Sequence, residues 1–314
     1  MDHMRVLLFS LASIAAVSMA GPAAAEPLWG INISGGEFRG VEDGRLLPRP
    51  DELRRYHDAG FELFRIPFKA RQLDIPQARA RLQALARECV TLKVPCIFDR
   101  HEYKWPPVAE QVQFWTRFAA AMPKSDLIHF DLMNEPKSFN STAVTNDWDQ
   151  WAQDSQAIVT GLRTAGVANM IWLEWPQYSA AFRFSLAAAA LRRLPSSTIQ
   201  DPLKRTGLQA HRYFNKDGSG VNDFCYPYTS IATWAAQAKS FRMPLLLGES
   251  AFGSDRGIRS TCEVVGRKAI AELRVAPNMY GVTWWGGGKA WNPKYLHFTP
   301  AAGNYRYKQM ITGR

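Results

Sequence analysis

Short apolar runs alternate with longer amphipathic stretches along nearly the whole chain. The apolar runs are typical of buried strands, and the stretches between them have the spacing of helices with one apolar face. Eight strands separated by seven helices predict an α/β fold, a single (β/α)8 TIM barrel. The strands are predicted at residues 29–33, 63–67, 96–99, 128–133, 170–174, 208–210, 245–248 and 282–285, and the helices at 50–59, 78–92, 108–121, 148–165, 178–191, 229–241 and 261–273.

The amino-terminal segment differs from the rest of the chain. Arg5 is followed by an apolar stretch over residues 6–20 and by three alanines at 23–25. This order is typical of a cleaved secretory signal peptide, and no later segment has the ~18 uninterrupted apolar residues of a membrane-spanning helix. We therefore expect a signal peptide over residues 1–25, one barrel domain over residues 26–314, a secreted or periplasmic monomer, and no stable membrane insertion.

The chain is basic, with a formal net charge of +10 at pH 7. Such a charge favours anionic partners, such as acidic polysaccharides, nucleic acids or a bacterial envelope. The lysines and arginines are scattered, however, and nowhere form a run of five or more. A solubilising surface is the simpler interpretation, and we expect no nucleic-acid partner. Steep salt dependence of binding to DNA would indicate one.

The four cysteines are expected to form disulfides, because an exported chain reaches an oxidising compartment. Cys89 ends a predicted helix and Cys96 begins the next strand, so the loop between them is short. Cys225 lies in a long loop, and Cys262 lies at the start of a later helix. Four cysteines permit three sets of pairings, of which we expect Cys89 with Cys96 and Cys225 with Cys262. No Cys-x-x-Cys or Cys/His cluster indicates a zinc site.

Two glutamates stand at the ends of predicted buried strands. Glu135 belongs to the tripeptide Asn134-Glu135-Pro136, directly after the apolar run 128–133, and Glu249 follows the run 244–248. Hydrolysis of a glycosidic bond needs one proton donor and one anion that face the same bond. The two glutamates are therefore predicted to be the reactive pair of a glycoside hydrolase.

Other predicted strand ends also carry polar or aromatic side chains. In a (β/α)8 barrel the loops after all eight strands converge at one rim, where the chemistry is located. These side chains are therefore expected to form one site. They are Arg65 on the second strand, Asp99, His101 and Tyr103 after the third, Asn134 and Glu135 after the fourth, Glu174 and Trp175 after the fifth, His211 and Tyr213 after the sixth, Glu249 after the seventh and Trp285 on the eighth.

Several of these motifs occur in the order found in glycoside hydrolase family 5, the cellulase family of retaining endoglycanases. The chain resembles this family, and its fungal-type endo-β-1,4-glucanase branch in particular, from about residue 29 to about residue 291. The motifs are Gly30-Ile31-Asn32, Phe64-Arg65-Ile66-Pro67, the cysteine-bracketed strand that ends in Asp99-Arg100-His101-Glu102-Tyr103, Asn134-Glu135-Pro136, His211-Arg212-Tyr213, Asp217-Gly218-Ser219-Gly220, Gly248-Glu249-Ser250 and Trp285-Gly286-Gly287-Gly288.

The resemblance implies a role for each glutamate. Glu135 corresponds to the general acid/base and Glu249 to the nucleophile of a two-step, retaining hydrolysis of internal β-1,4 bonds in a glucan. Retention requires carboxyl groups only about 5 Å apart. Like charges this close raise the pKa of one carboxyl group and keep it protonated. Arg65 corresponds to the arginine that holds the nucleophile carboxylate in place.

The remaining motif residues correspond to substrate contacts. Asn134 is expected to bond the sugar 2-hydroxyl, and His101 and His211 to line the subsite of the cleaved sugar. Tyr213 is expected to contact the nucleophile, and Tyr103 belongs to the same site by its motif. Aromatic platforms for sugar rings are expected at Trp285 and, extending the cleft, at Trp29, Trp105, Trp175, Trp284 and Trp291, each of which could equally belong to the core.

Some positions depart from the family pattern. Glu102 stands where the family usually has asparagine, and lysines 104, 137 and 289 stand where uncharged or aromatic residues are expected. These charges leave the substrate open, and the alternative is an endo-hydrolase of another β-glycan, either mannan or a decorated or acidic bacterial exopolysaccharide. A catalytically inactive sugar-binding barrel is a separate alternative, which the presence of both glutamates disfavours. The sequence has no zinc-protease motif, no phosphate-binding glycine loop and no dinucleotide fingerprint, so we expect no metal and no cofactor.

Overall fold

The computed structural model describes residues 26–136 except 39 and 41, residues 148–253 except 216, 217, 219, 221–223 and 226–229, residues 260–290, and residues 308 and 311. The predicted signal peptide, Lys137 and Trp291 lie outside the described residues. The strands are β1 (Leu28–Ile33), β2 (Leu63–Phe68), β3 (Cys96–Arg100), β4 (Ile128–Asp131), β5 (Ile171–Leu173), β6 (Thr206–Tyr213), β7 (Leu245–Ala251) and β8 (Met279–Gly287). The helices are α1 (Pro50–Asp58), α2 (Pro76–Leu92), α3 (Val108–Ala121), α4 (Trp148–Thr164), α5 (Phe184–Arg193), α6 (Ala232–Ala238) and α7 (Ser260–Arg274).

The eight strands form a closed barrel in chain order, and every pair is parallel. The predicted (β/α)8 fold is therefore confirmed. Parallel order brings all eight carboxyl ends to one rim. Both faces of the sheet are covered, so strands such as β2 and β7 are buried along their whole length.

The barrel interior is layered, because alternate residues of a strand face the same side. A lower layer is apolar and consists of Leu63, Ile97, Met170, Trp172 and Leu246. Gly207 belongs to the same level, where a Cβ atom would lie 2.3 Å from the Trp172 ring. Two residues further along their strands, the layer above is polar and contains Arg65, Asp99, Asp131, Glu174 and Gln209, all buried. The apolar layer thus supports a polar layer directly below the rim.

Strands β6 and β7 each extend three residues further toward the rim than predicted. β6 and β7 remain paired through His211↔Glu249 and Tyr213↔Ala251, after a register shift. Glu249 and His211 therefore lie within strands rather than in loops after them. The predicted strands ended where a polar side chain interrupts the apolar run. In the structure the backbone pairing of β6 and β7 continues past these side chains.

The predicted helix over residues 178–191 begins later, at Phe184. Residues 177–179 have left-handed φ angles of 63°, 64° and 49°. The buried hydroxyl of Ser179 donates to the carbonyl of Gln209 at 2.5 Å, and the Ser179 carbonyl accepts from the His211 backbone N–H at 2.8 Å. This left-handed turn joins the end of β5 to β6 and fixes the backbone at His211.

Both predicted disulfides are present, Cys89 with Cys96 and Cys225 with Cys262. The first joins the end of α2 to the start of β3, and the second joins the loop after β6 to α7. Among the helices of the described part of the chain, none combines the length and the apolar character needed to span a bilayer.

Candidate active site

The two predicted glutamates meet at the rim, on either side of His211. The His211 Nδ1 atom lies 3.0 Å from Oε1 of Glu135 and 3.7 Å from Oε2 of Glu249. One oxygen of each carboxyl group and the imidazole nitrogen all lie within 4.8 Å of one another. A single bond of a substrate placed here would face both carboxyl groups.

Glu249 is held as a carboxylate. Its Oε1 accepts from Nη1 of Arg65 at 2.7 Å, and its Oε2 accepts from the Tyr213 hydroxyl at 2.5 Å. Burial raises the pKa of Glu249, but the charges of His211 and Arg65 outweigh it and hold this pKa below its ordinary value of 4.5. An ionised carboxylate with both oxygens fixed is suited to attack a carbon atom.

Glu135 has the opposite character. Its side chain is 16% exposed, whereas that of Glu249 is 4% exposed. Burial in the site, together with the charge of Glu249, raises the pKa of Glu135 above 4.5 even though His211 opposes this. A carboxyl group that keeps its proton to higher pH is suited to protonate a leaving group, so the environments assign different protonation states to the two glutamates.

Arg65 is the hub of the polar layer and is completely buried. Its guanidinium lies 3.1 Å from Asp99, 2.9 Å from Asp131 and 3.1 Å from Glu174, in addition to Glu249. Burial, with the neighbouring charge of Glu174, raises the pKa of Asp131 well above its ordinary value. This shift favours the neutral form of Asp131, which reduces the negative charge that Arg65 must balance.

The predicted substrate contacts on the other side of the rim form a second group. His101 Nδ1 lies 2.7 Å from Asp99, and its Nε2 lies 3.0 Å from the Tyr103 hydroxyl. Asn134 is buried, and its Oδ1 accepts from Arg65 at 2.8 Å. The Trp285 ring stacks on the imidazole of His101, with ring centres 5.7 Å apart and planes 12° apart. Asn134 Nδ2 also lies 3.3 Å from Nε2 of His101, so these residues form one connected group at the rim.

The predicted contact between Trp175 and substrate is wrong. Trp175 has no exposed surface, and its indole N–H donates to the carbonyl of Ala180 at 3.1 Å. It packs against Phe184 and Trp234 behind the rim, with ring centres 5.1 and 6.2 Å away. The apolar run before it placed it at a strand end, but its side chain points into the helical layer. Core positions are also found for Trp29, Trp105 and Trp284.

Two buried residues of the polar layer, Asp131 and Gln209, were not predicted, and Glu174 was expected at the rim without an assigned role. Gln209 donates to Asp131 at 2.6 Å and also bonds Glu174. Glu174 and Gln209 stand two residues after Trp172 and Gly207 of the layer below, and Asp131 stands two residues after His129, which bonds Trp172. This period of two was the available signal, since it places all three on the inward face of the barrel.

The carboxyl oxygens of Glu135 and Glu249 and the nitrogen of His211 are also a possible ligand set for a divalent metal ion. Burial lowers the pKa of His211, but Glu174, Glu249 and Glu135 outweigh it and hold the pKa well above 6.5. A protonated imidazole offers no lone pair to a metal, and hydrogen bonds account for its short contacts. The arrangement therefore suits proton transfer. That the activity needs no metal and no cofactor stays a prediction.

Comparison with known proteins matches residues 32–289 to the family described as Cellulase (glycosyl hydrolase family 5). A probable endo-β-1,4-glucanase B of Aspergillus oryzae is 24% identical, over 93% of each chain. Among solved structures, an endo-β-1,4-glucanase of Xanthomonas axonopodis pv. citri has a TM-score of 0.73 at 22% identity, over 86% of this chain and 92% of that one. An endoglucanase of Pseudomonas stutzeri, in complex with cellobiose, has a TM-score of 0.70 at 22% identity, over 88% of each chain.

Proposed function

Because this chain belongs to the cellulase family, glycosyl hydrolase family 5, we propose that it is a secreted, retaining endo-β-1,4-glucanase. Glu249 is its nucleophile and Glu135 its general acid/base. The substrate class follows from the relatives, which are endo-β-1,4-glucanases by name. The chemistry follows from the site.

The spacing of the two carboxyl groups carries the proposal. An oxygen of Glu135 and an oxygen of Glu249 lie within 4.8 Å of each other. Retaining enzymes need about 5–5.5 Å between carboxyl groups, whereas inverting enzymes need about 6.5–9.5 Å to leave room for a water molecule. The observed spacing supports direct attack by one carboxylate.

In the first step, the Glu249 carboxylate attacks the anomeric carbon and the bond to the leaving oxygen breaks. That oxygen takes the proton of Glu135, so a glycosyl ester forms on Glu249 and Glu135 becomes a carboxylate. The ester carries no charge, which removes one cause of the raised pKa of Glu135. In the second step, Glu135 takes a proton from water while the water oxygen attacks the same carbon. Glu249 is released as a carboxylate, and the sugar regains its β configuration.

The structure also bears on the departures from the family pattern. Glu102 does not present an uncompensated charge, since one oxygen accepts from Arg100 at 2.8 Å and the other from the Ala70 backbone N–H at 3.0 Å. Lys289 lies 3.5 Å from Glu52. Both charges are paired within the protein, so neither of these two departures by itself indicates an acidic exopolysaccharide.

Export is part of the same proposal. The two disulfides fit an oxidising compartment, and an extracellular location is where a polymeric glucan is available. The expected signal peptide over residues 1–25 and the expected monomer are tested by amino-terminal sequencing of the exported protein and by its mass in solution.

The direct test is product analysis on carboxymethylcellulose, mannan and mixed-linkage glucan in parallel. We expect a rapid fall in viscosity and short oligosaccharides from the two glucans, because an endo-acting enzyme cuts internal bonds. Preferential cleavage of mannan would instead identify the protein as an endo-hydrolase of a mannan backbone. No turnover of any β-glycan would assign an inactive sugar-binding barrel.

A further inference from the structure

Glu174, which follows β5 directly, contacts the acid/base glutamate by two routes. It is completely buried. Its Oε2 accepts from the backbone N–H of Glu135 at 2.7 Å. Its Oε1 lies 3.1 Å from Nε2 of His211, and Nδ1 of the same ring lies 3.0 Å from the side chain of Glu135. One carboxylate thus bonds both the backbone of Glu135 and the ring that bonds its carboxyl group.

The backbone contact has a conformational consequence. Glu135 has a φ of 43°, in the left-handed region that residues other than glycine rarely adopt. Such a conformation persists only where the surrounding structure holds it. The hydrogen bond from the Glu135 N–H to Glu174 supplies this support, and it sets the direction in which the Glu135 side chain leaves the rim.

The contact with His211 has an electrostatic consequence. Burial raises the pKa of Glu174, but the charges of His211 and Arg65 and the hydrogen bonds from His211 and the Glu135 backbone lower it to about 2. Glu174 is therefore an anion, and the carboxyl groups around His211 raise the pKa of its imidazole well above 6.5, which favours the form with a proton on each nitrogen. In that form the ring donates from Nε2 to Glu174 and from Nδ1 to Glu135, so two charge-assisted hydrogen bonds hold its orientation.

We propose, on the basis of the function assigned above, that Glu174 is the positioning residue of the acid/base step. It acts through the backbone of Glu135 and through His211, and it directs the proton of Glu135 toward the leaving oxygen. The positions of Glu249 and Arg65 do not depend on it alone, because Arg65 has further partners in Asp99 and Asp131.

Asp131 offers a matched control. Like Glu174 it is completely buried, and it bonds Arg65 at 2.9 Å and Gln209 at 2.6 Å. Its side chain bonds neither Glu135 nor His211. Asp131→Asn therefore perturbs the same polar layer but leaves intact the two contacts that Glu174 makes with Glu135 and His211.

The experiment compares two substrates that differ in their need for an acid. Cellotetraose requires protonation of its leaving oxygen, whereas 2,4-dinitrophenyl β-cellobioside does not. We expect Glu174→Gln to lower kcat/KM on cellotetraose by about 100-fold, the lower range of general acid–base catalysis, and on the aryl substrate by less than about tenfold. On the aryl substrate the second step, attack of water on the glycosyl ester, still needs the base and should be slowed. Because the ester then accumulates, kcat and KM should fall together. Asp131→Asn should lower kcat/KM on the two substrates by similar factors.

Labelling of Glu249 with 2,4-dinitrophenyl 2-deoxy-2-fluoro-β-cellobioside counts the folded sites, since this reaction needs no acid, and rates are expressed per labelled site. If Glu174→Gln yields too few sites, Glu174→Asp replaces it, because the shorter side chain keeps the charge but withdraws it from both contacts. Equal losses on both substrates in the variant that folds would overturn the positioning role. A wild-type protein that cleaves neither substrate would instead overturn the proposed function.

Discussion

Nη1 of Arg65 on β2 lies 2.7 Å from Oε1 of Glu249 on β7, across the interior of the barrel. The two strands are not neighbours, since β1 and β8 lie between them in the closed sheet. Arg65 has no exposed surface and bonds three further carboxyl groups. The residue that orients the proposed nucleophile is therefore also the cation that makes the polar layer stable.

Arg65→Lys is expected to damage both activity and stability. Lysine provides one point charge in place of a planar group that bonds several acceptors at once. We expect kcat/KM on cello-oligosaccharides to fall by about 100-fold or more, as for loss of a preorganised donor, and the free energy of unfolding to fall by about 3–5 kcal/mol, as for a broken buried ion pair. Urea unfolding and steady-state kinetics measure the two effects.

The control for this variant is Arg49→Lys. Arg49 bonds Asp51 at 2.9 Å, and the two side chains are 50% and 51% exposed. Such pairs contribute less than about 1 kcal/mol, so both activity and stability should stay close to wild type. An Arg65→Lys protein that behaves like this control would contradict the assigned role of Arg65.

The pH profile of kcat/KM should be bell-shaped. Glu249 must be ionised to attack, so activity is lost as pH falls through its lowered pKa, below 4.5. Glu135 must be protonated to act as an acid, so activity is lost as pH rises through its raised pKa, above 4.5. Tyr213→Phe removes a hydrogen bond that stabilises the Glu249 carboxylate, so the acidic limb should move to higher pH. An unchanged acidic limb would show that Glu249 does not control it.

Asp201 should contribute to stability in a pH-dependent way. It accepts two hydrogen bonds from Arg163 at 2.9 Å each and one from Thr206 at 2.8 Å. Although burial raises the pKa of Asp201, these contacts lower it to about 2, from an ordinary value of 3.8. Its contribution is therefore complete above pH 3.8 and lost as pH falls toward 2.

Asp201→Asn should accordingly lower the free energy of unfolding by about 2 kcal/mol at pH 7, as for charged hydrogen bonds, and by much less near pH 2. Glu263→Gln, which breaks the surface pair with Arg267, serves as the control and should change stability little at either pH. If Asp201→Asn lowered the free energy of unfolding equally at both pH values, the predicted role of the Asp201 charge would be contradicted.

The barrel and the position of Glu135 and Glu249 at its rim were predictable from the sequence, since buried strands and strand-end carboxylates leave local patterns. Glu174 and Trp175 are adjacent, and the same reasoning placed both at the rim. Only Glu174 faces the site, because neighbouring residues of an extended segment point to opposite sides. The left-handed turn at 177–179 and the raised pKa of Asp131 depend on contacts between distant segments, which no local pattern encodes.

The central claim is that Glu135 and Glu249 are close enough for direct attack on an anomeric carbon. It is tested most directly by ¹H NMR of the first product formed from cellotetraose, before mutarotation. The account predicts that the new reducing end appears first as the β anomer. An α anomer appearing first would contradict it, because inversion needs a water molecule between carboxyl groups that are further apart.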